Sequence, residues 1–198
     1  VDDLGACSAS THPEVVEGKT EQGISLLMMA AYYRNPALIE LFKGKRSNLD
    51  FHEAAAIGDS HSLQSHLEKI GEDIDVFAPD GFSALGLACF FGHPLIAASL
   101  IQAGANVDLA SNNPFKVRPL HSAVASKHLE IARLLLSHGA NPSATQMQGV
   151  CPLHSAAHNG QTEMVQLLLE FGADPSAKTD DGKTALDMAK EDGHVEVL

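Results

Sequence analysis

"RPLHSAVASKHLEIARLLLSHGANPSA", residues 118–144, lies without a gap over "CPLHSAAHNGQTEMVQLLLEFGADPSA", residues 151–177. The offset is 33 residues, from Leu120 to Leu153, and a further 33 leads to Leu186 within "DGKTALDMAKEDGHVEVL" (181–198). Upstream, "DGFSALGLACFFGHPLIAASLIQAGANVD" (80–108) places Leu85 at 35 residues before Leu120. The two extra residues fall in "NNPFKV" (112–117), a polar segment with a proline, where a connecting loop tolerates insertion. Self-similarity at such a period marks a repeat architecture, and it decides how every other residue is read.

Each unit has the same physical plan. A short polar hairpin containing Gly leads to Ser, Thr or a substitute at a helix N-cap, with Pro or Ala at the first helical position. A small-residue helix such as "LHSAA" follows, then a tight turn, then a second helix in the apolar rhythm of "MVQLLLEFG". Gly-Ala-Asn or Gly-Ala-Asp ends it, with Gly suited to a left-handed cap. One unit cannot bury its own apolar stripe, whereas stacked neighbours can, so an all-α repeat solenoid is predicted.

The motifs "RPLHSA" and "CPLHSA", the weaker "FSALGLA" and "KTALDMA", and the endings "AGANVD", "HGANPS" and "FGADPS" resemble the ankyrin-repeat family. The resemblance covers residues 78–198 and loosens upstream. "LDFHEAAAIGDSHSLQSHLEKIGEDIDVFAPDG" (49–81) keeps the helix pair, and "EQGISLLMMAAYYRNPALIELF" (21–42) keeps G-x-S-L-L and an Ala pair. Only 24 residues separate Met28 from His52, so the first repeat is expected to lose its hairpin. The expected layout is an N-terminal arm (1–18) and one ankyrin-type solenoid (19–198) of helix-turn-helix pairs joined by β-hairpin loops. Its approximate repeats are 19–48, 49–77, 78–110, 111–144, 145–177 and 178–198, the first truncated and the last incomplete.

Composition narrows the partner. The 198 residues are 44% hydrophobic and 19% charged, as in a folded domain. A net charge of −12 argues against a nucleic-acid backbone and suits a protein or peptide with a basic surface. Three widely spaced cysteines, Cys7, Cys89 and Cys151, are no disulfide framework, so a reducing compartment, the cytoplasm, is expected. Residues 1–20 lack the apolar segment of a signal peptide, although the start at Val1 rather than Met leaves room for residues ahead of it. "LGLACFFGHPLIAASLI" (85–101) is interrupted by Gly92-His93-Pro94 and reads as helix-turn-helix, so no membrane partner is expected. A monomer without cofactor is the expected form.

A competing chemistry sits in "CPLHSAAHNG" (151–160), where Cys151, His154 and His158 have the spacing of half a zinc site or of a thiol beside a base. Internal alignment supplies the bland reading. Cys151 shares its slot with Ser25, Ser83, Arg118 and Thr184, an N-cap position. His154 aligns with His121 and His52, and the resemblance implies that this histidine braces the hairpin-to-helix turn. His158 aligns with Phe90, Ala125 and Glu191, a variable surface slot. P-loop, G-x-S-x-G, H-E-x-x-H and EF-hand patterns do not occur.

The resemblance implies binding without catalysis, with partners held by hairpin tips and first helices on a concave face. The slots that vary between repeats supply candidate contacts. Near hairpins these are Phe77, Asp80 and Phe82, then Phe115 and Lys116 in the insertion, then Met147, Gln148 and Val150. After the Ala pairs they are Tyr32 and Tyr33, Phe90 and Phe91, Ser126, and His158 and Asn159. Aromatics at such positions suit a binding hot spot, because they bury much area at little entropic cost. Inter-repeat packing or capping of the array is the other role open to the aromatic pairs. Besides an interaction module, a metal or catalytic centre at Cys151, His154 and His158 and a regulatory segment of a longer chain remain as readings.

Overall fold

The computed structural model describes residues 17–46, 48–69 and 73–194. The expected arm, 1–18, therefore lies almost wholly outside the described residues, as does Cys7. The chain divides into two compact units, 1–49 and 50–198, each treated by itself. The first holds α1 (Leu26–Tyr32) and α2 (Pro36–Lys43). The second holds the pairs α3 (Phe51–Ile57) and α4 (Ser60–Leu67), then α5 (Ala84–Phe91) and α6 (Pro94–Gln102). It continues with α7 (Pro119–Ala125), α8 (Leu129–Ser137), α9 (Pro152–His158), α10 (Thr162–Glu170) and α11 (Ala185–Glu191). Among the described residues no strand accompanies these helices, and the expected all-α solenoid is what the second unit builds.

The first helix of each pair starts where its cap dictates. Ser25, Ser83 and Thr184 accept the amides of Met28, Gly86 and Asp187, each at 3.2 Å. Asp50 does the same for Glu53 at 2.8 Å, and the Glu53 carboxylate returns to the Asp50 amide at 2.9 Å, a closed capping box. Gly104, Gly139 and Gly172 follow the second helices at positive φ, the conformation that glycine adopts without Cβ penalty.

The hairpins are reduced to their closing bonds rather than drawn out into strands. Ala78 donates to the Phe82 carbonyl at 2.8 Å, Gln146 to Val150 at 2.9 Å and Thr179 to Lys183 at 3.0 Å, all four residues apart. Ser111 donates instead to Val117 at 2.8 Å, six residues on, which is where the two extra residues of the sequence alignment reside. One expectation needs correction. The first unit keeps its hairpin, with a Lys19–Ser25 bridge and Thr20 donating to Ile24 at 2.8 Å. Before α3 no bridge like those at Lys19–Ser25 and Phe77–Ser83 occurs among the described residues.

In the second unit each first helix packs on the next, α3 on α5, α5 on α7, α7 on α9 and α9 on α11. Small residues make that approach possible: Ala54, Ala55, Ala88, Ala123 and Ala156 are fully buried. Leu63, Leu85, Leu100, Leu120, Leu135, Leu153 and Leu168 fill the layer between first and second helices. Burying each contributes roughly 1.5–3 kcal/mol, which only a stack of neighbours makes available.

Candidate functional site

The Cys151–His154–His158 trio comes apart in three dimensions. Cys151 and His154 are buried and touch, Sγ to Nδ1 at 2.9 Å. The Cys151 amide donates to the same Nδ1 at 3.2 Å, so that nitrogen carries the lone pair. Nε2–H then donates to the carbonyls of Ala177 and Lys183 at 3.1 and 3.2 Å. Burial alone would raise the thiol, but the imidazole contact outweighs it and holds Cys151 below its ordinary value. The thiol in turn raises His154, against burial. The contact is chemically active in type but sealed at both side chains. His158 stands outside, exposed, its Nδ1 2.5 Å from Asp192 Oδ2. Among the described residues no three His, Cys, Asp or Glu side chains converge as a metal site would require.

The bracing histidines reach forward by one repeat. His52 meets the Val76 carbonyl at 3.0 Å and His121 that of Val150 at 3.3 Å, as His154 meets Ala177 and Lys183. Each therefore ties a first helix to the hairpin of the following unit. Burial pushes His121 down to about 4. Its Nδ1 has no protein partner among the described residues, because Arg118 offers no hydroxyl and sends its guanidinium to the Thr145 carbonyl at 2.5 Å.

The candidate contact residues separate by exposure. Tyr33 caps α1 and is 76% exposed, with Tyr32 half-buried beside it; both belong to the first unit. In the second unit Phe90 and Phe91 are half-buried and meet edge to face, centroids 5.1 Å apart. Phe82, Ser126, Val150 and Asn159 are half-buried, and Asn159 Nδ2 donates to the Ser155 carbonyl at 2.8 Å. Asp80 turns inward, accepting the Phe82 amide at 3.0 Å. Phe77, Lys116 and Gln148 are exposed.

Phe115 and Met147 stand out, 55% and 43% exposed, on adjacent hairpins joined by the Met147 amide and the Phe115 carbonyl at 3.0 Å. The insertion that carries Phe115 is built rather than loose. Asn113 Oδ1 accepts the Phe115 amide at 3.1 Å and the Ser111 hydroxyl at 2.9 Å, while its Nδ2 donates to the Asp80 carbonyl at 3.1 Å. Lys116 beside it holds φ +53°, unusual for a residue with a Cβ.

A cleft of about 450 Å³ opens beside Gln148 and Val150, continuing to Thr179, Asp180, Asp181, Lys183 and Met188. The last five escaped sequence reasoning, although Asp180, Asp181 and Lys183 lie 33 residues after Met147, Gln148 and Val150. Applying the repeat offset to those three would have found them.

A family model described as "Ankyrin repeats (3 copies)" matches residues 51–146, and another, "Ankyrin repeats (many copies)", matches 138–189. The chain belongs to the ankyrin-repeat family. Human BCL-6 corepressor-like protein 1 is 40% identical over 96 residues, 48% of this chain. Human SMC5-SMC6 complex localization factor protein 1 is 28% identical over 141 residues, 69% of the chain. Mouse ankyrin repeat and SOCS box protein 16 is 37% identical over 106 residues, 50% of the chain. The matched regions span 5%, 13% and 23% of those proteins' lengths, so the likeness is to their ankyrin segments. Ankyrin repeats bind other proteins, and among the described residues no helix is long and apolar enough to cross a membrane.

Proposed function

We propose that this ankyrin chain is a non-enzymatic interaction module, an adaptor that holds a protein or peptide along the hairpin tips and first helices of its second unit. The observation that carries the reading is the rigid presentation of Phe115 beside Met147. Exposed apolar side chains on hairpins whose main chain is already fixed by these hydrogen bonds spare the backbone part of the ordering cost on binding, which favours an interaction hot spot. In the same unit Phe77, near a hairpin, and Phe90 and Phe91, at the end of α5, supply further aromatic surface. The chain works as a monomer in the cytoplasm, without cofactor, nucleic acid or membrane, as part of a longer protein or alone. Relatives whose names speak of a corepressor or of complex localization fit a role in assembly.

Capture of partners from native lysate by the immobilised protein tests this. Phe115→Ser combined with Met147→Ser is expected to abolish specific capture with an unchanged circular dichroism spectrum and melting curve. Leu95→Ser removes an equally apolar side chain, 76% exposed on the outer helix α6, and is expected to change nothing. Equal loss with both variants, or none with either, overturns the assignment of the surface.

A further inference from the structure

We propose that the cleft between the last two hairpins receives a lysine or arginine side chain of the bound partner, its aliphatic stem on Val150 and Met188 and its charge on Asp180 and Asp181. This rests on the interaction-module reading and names the chemistry recognised at one end of that surface.

The cleft is framed by main chain. The Asp180 amide donates to the Gln148 carbonyl at 2.9 Å, zipping one hairpin to the next. Gly149 permits the approach: a Cβ there would stand 2.7 Å from Asp180 Oδ1. The Asp180 carboxylate thus lies over Gly149 at the exposed rim of the cleft. Asp181 accepts the Thr179 hydroxyl, and that bond holds its carboxyl below the usual carboxylate range. The lone cation of the lining, Lys183, is drawn to Glu191, with Nζ 2.6 Å from Oε2. Its charge also acts on Asp181, which it helps to lower, so the ammonium is shared between Glu191 and Asp181 and the cleft keeps a net negative charge through Asp180.

At about 450 Å³ the space is of the size that holds a bound group, roughly 300–1,000 Å³. Its lining combines the half-buried Val150 and Met188 with the exposed Asp180 and Asp181. An apolar side chain would satisfy only the first pair and strip water from the carboxylates without return. An acidic one is repelled. A lysine or arginine meets both, because its stem is aliphatic and its head is a cation. The exposed Lys116, on the hairpin of Phe115, disfavours a basic residue at that end and so orients the bound segment.

A phage library of random short peptides, selected on the protein, supplies the probe. The strongest peptides are expected to share one Lys or Arg, whose replacement by norleucine weakens binding roughly tenfold or more. Asp180→Asn with Asp181→Asn keeps an acceptor for Thr179 and is expected to leave melting unchanged while weakening the same peptides to the same extent. Peptides that share no basic residue, or that bind the double Asn variant equally, overturn the proposal. If such peptides are nevertheless lost on Phe115→Ser with Met147→Ser, the interaction-module reading stands and only the cleft assignment fails. A library that yields no binder overturns both.

Discussion

At the scale of single residues, the cap slot shows what a substitution leaves behind. Ser25, Ser83 and Thr184 give their oxygen to a helix amide, and Cys151 keeps a contact with His154 through sulfur. Arg118 does neither, and it leaves His121 Nδ1 buried without a protein partner among the described residues. A threonine there would cap α7 and place a hydroxyl where the imidazole lone pair lies. Arg118→Thr is therefore expected to stabilise the protein by about 1 kcal/mol, seen as a melting point raised by roughly 2–4 °C. An unchanged or lowered melting point would show that the Arg118–Thr145 contact is worth more than the cap. The slot itself was legible from the internal alignment. The orphaned nitrogen was not, because it depends on where one imidazole faces after burial.

Between elements, glycine and histidine lock successive repeats at the turn between the paired helices. A Cβ on Gly58 would stand 2.6 Å from the His93 ring, one on Gly92 2.4 Å from His128, and one on Gly160 2.8 Å from His194. His93 also reaches the Ala56 carbonyl at 3.0 Å. The junction after α7 departs from this pattern in both partners at once. Lys127 replaces the glycine, at φ +62°, and Gln161 replaces the histidine, donating from Nε2 to the Val124 carbonyl at 3.0 Å. A cleft of about 320 Å³ lies at this junction, with Lys127 and Gln161 in its lining.

The two glycine classes should respond differently. Gly92→Ala meets the His128 ring at φ +83°, whereas Gly104→Ala, at φ +98°, meets nothing within 4 Å. Gly92→Ala is expected to cost at least about 1 kcal/mol more in urea unfolding, since forcing an atom into a packed contact adds to the shared backbone penalty. Adding His128→Gln should recover part of the difference. Equal costs for the two alanines would remove the ring from the account. Sequence alone placed a turn at Gly92-His93-Pro94; it did not pair each turn histidine with a glycine one repeat away.

Over the whole second unit, stability is a sum of neighbours. α5 and α7 each have a first helix on both sides, whereas α11 has α9 on one side alone among the described residues. Ala189 is fully buried, yet Leu186 is 40% exposed. In an array held by nearest-neighbour contacts the one-sided helix opens first. Amide hydrogens of Met188–Glu191 are therefore expected to exchange at least on the order of tenfold faster than those of Leu87–Phe91 under native conditions. Equal protection would show that α11 is covered from its other side. The same stacking builds the proposed binding surface: it sets Phe115 beside Met147 and brings Asp180 against Gly149, pairs distant along the chain.

The amino-acid sequence by itself determined the repeat, its period, the insertion at 112–117 and the family, because apolar spacing, caps and glycine endings are local and recur. It also showed Cys151 as a substituted cap and His158 as a surface position. Only the tertiary structure decided that the histidines reach forward to the next hairpin, and that the first repeat keeps its own hairpin. It likewise showed that Phe90 and Phe91 lean on each other while Phe115 and Met147 stand clear, and that residues 179–183 wall a cleft. These outcomes depend on how much of each side chain a neighbouring repeat covers, and that is set by stacking rather than by any single unit's pattern.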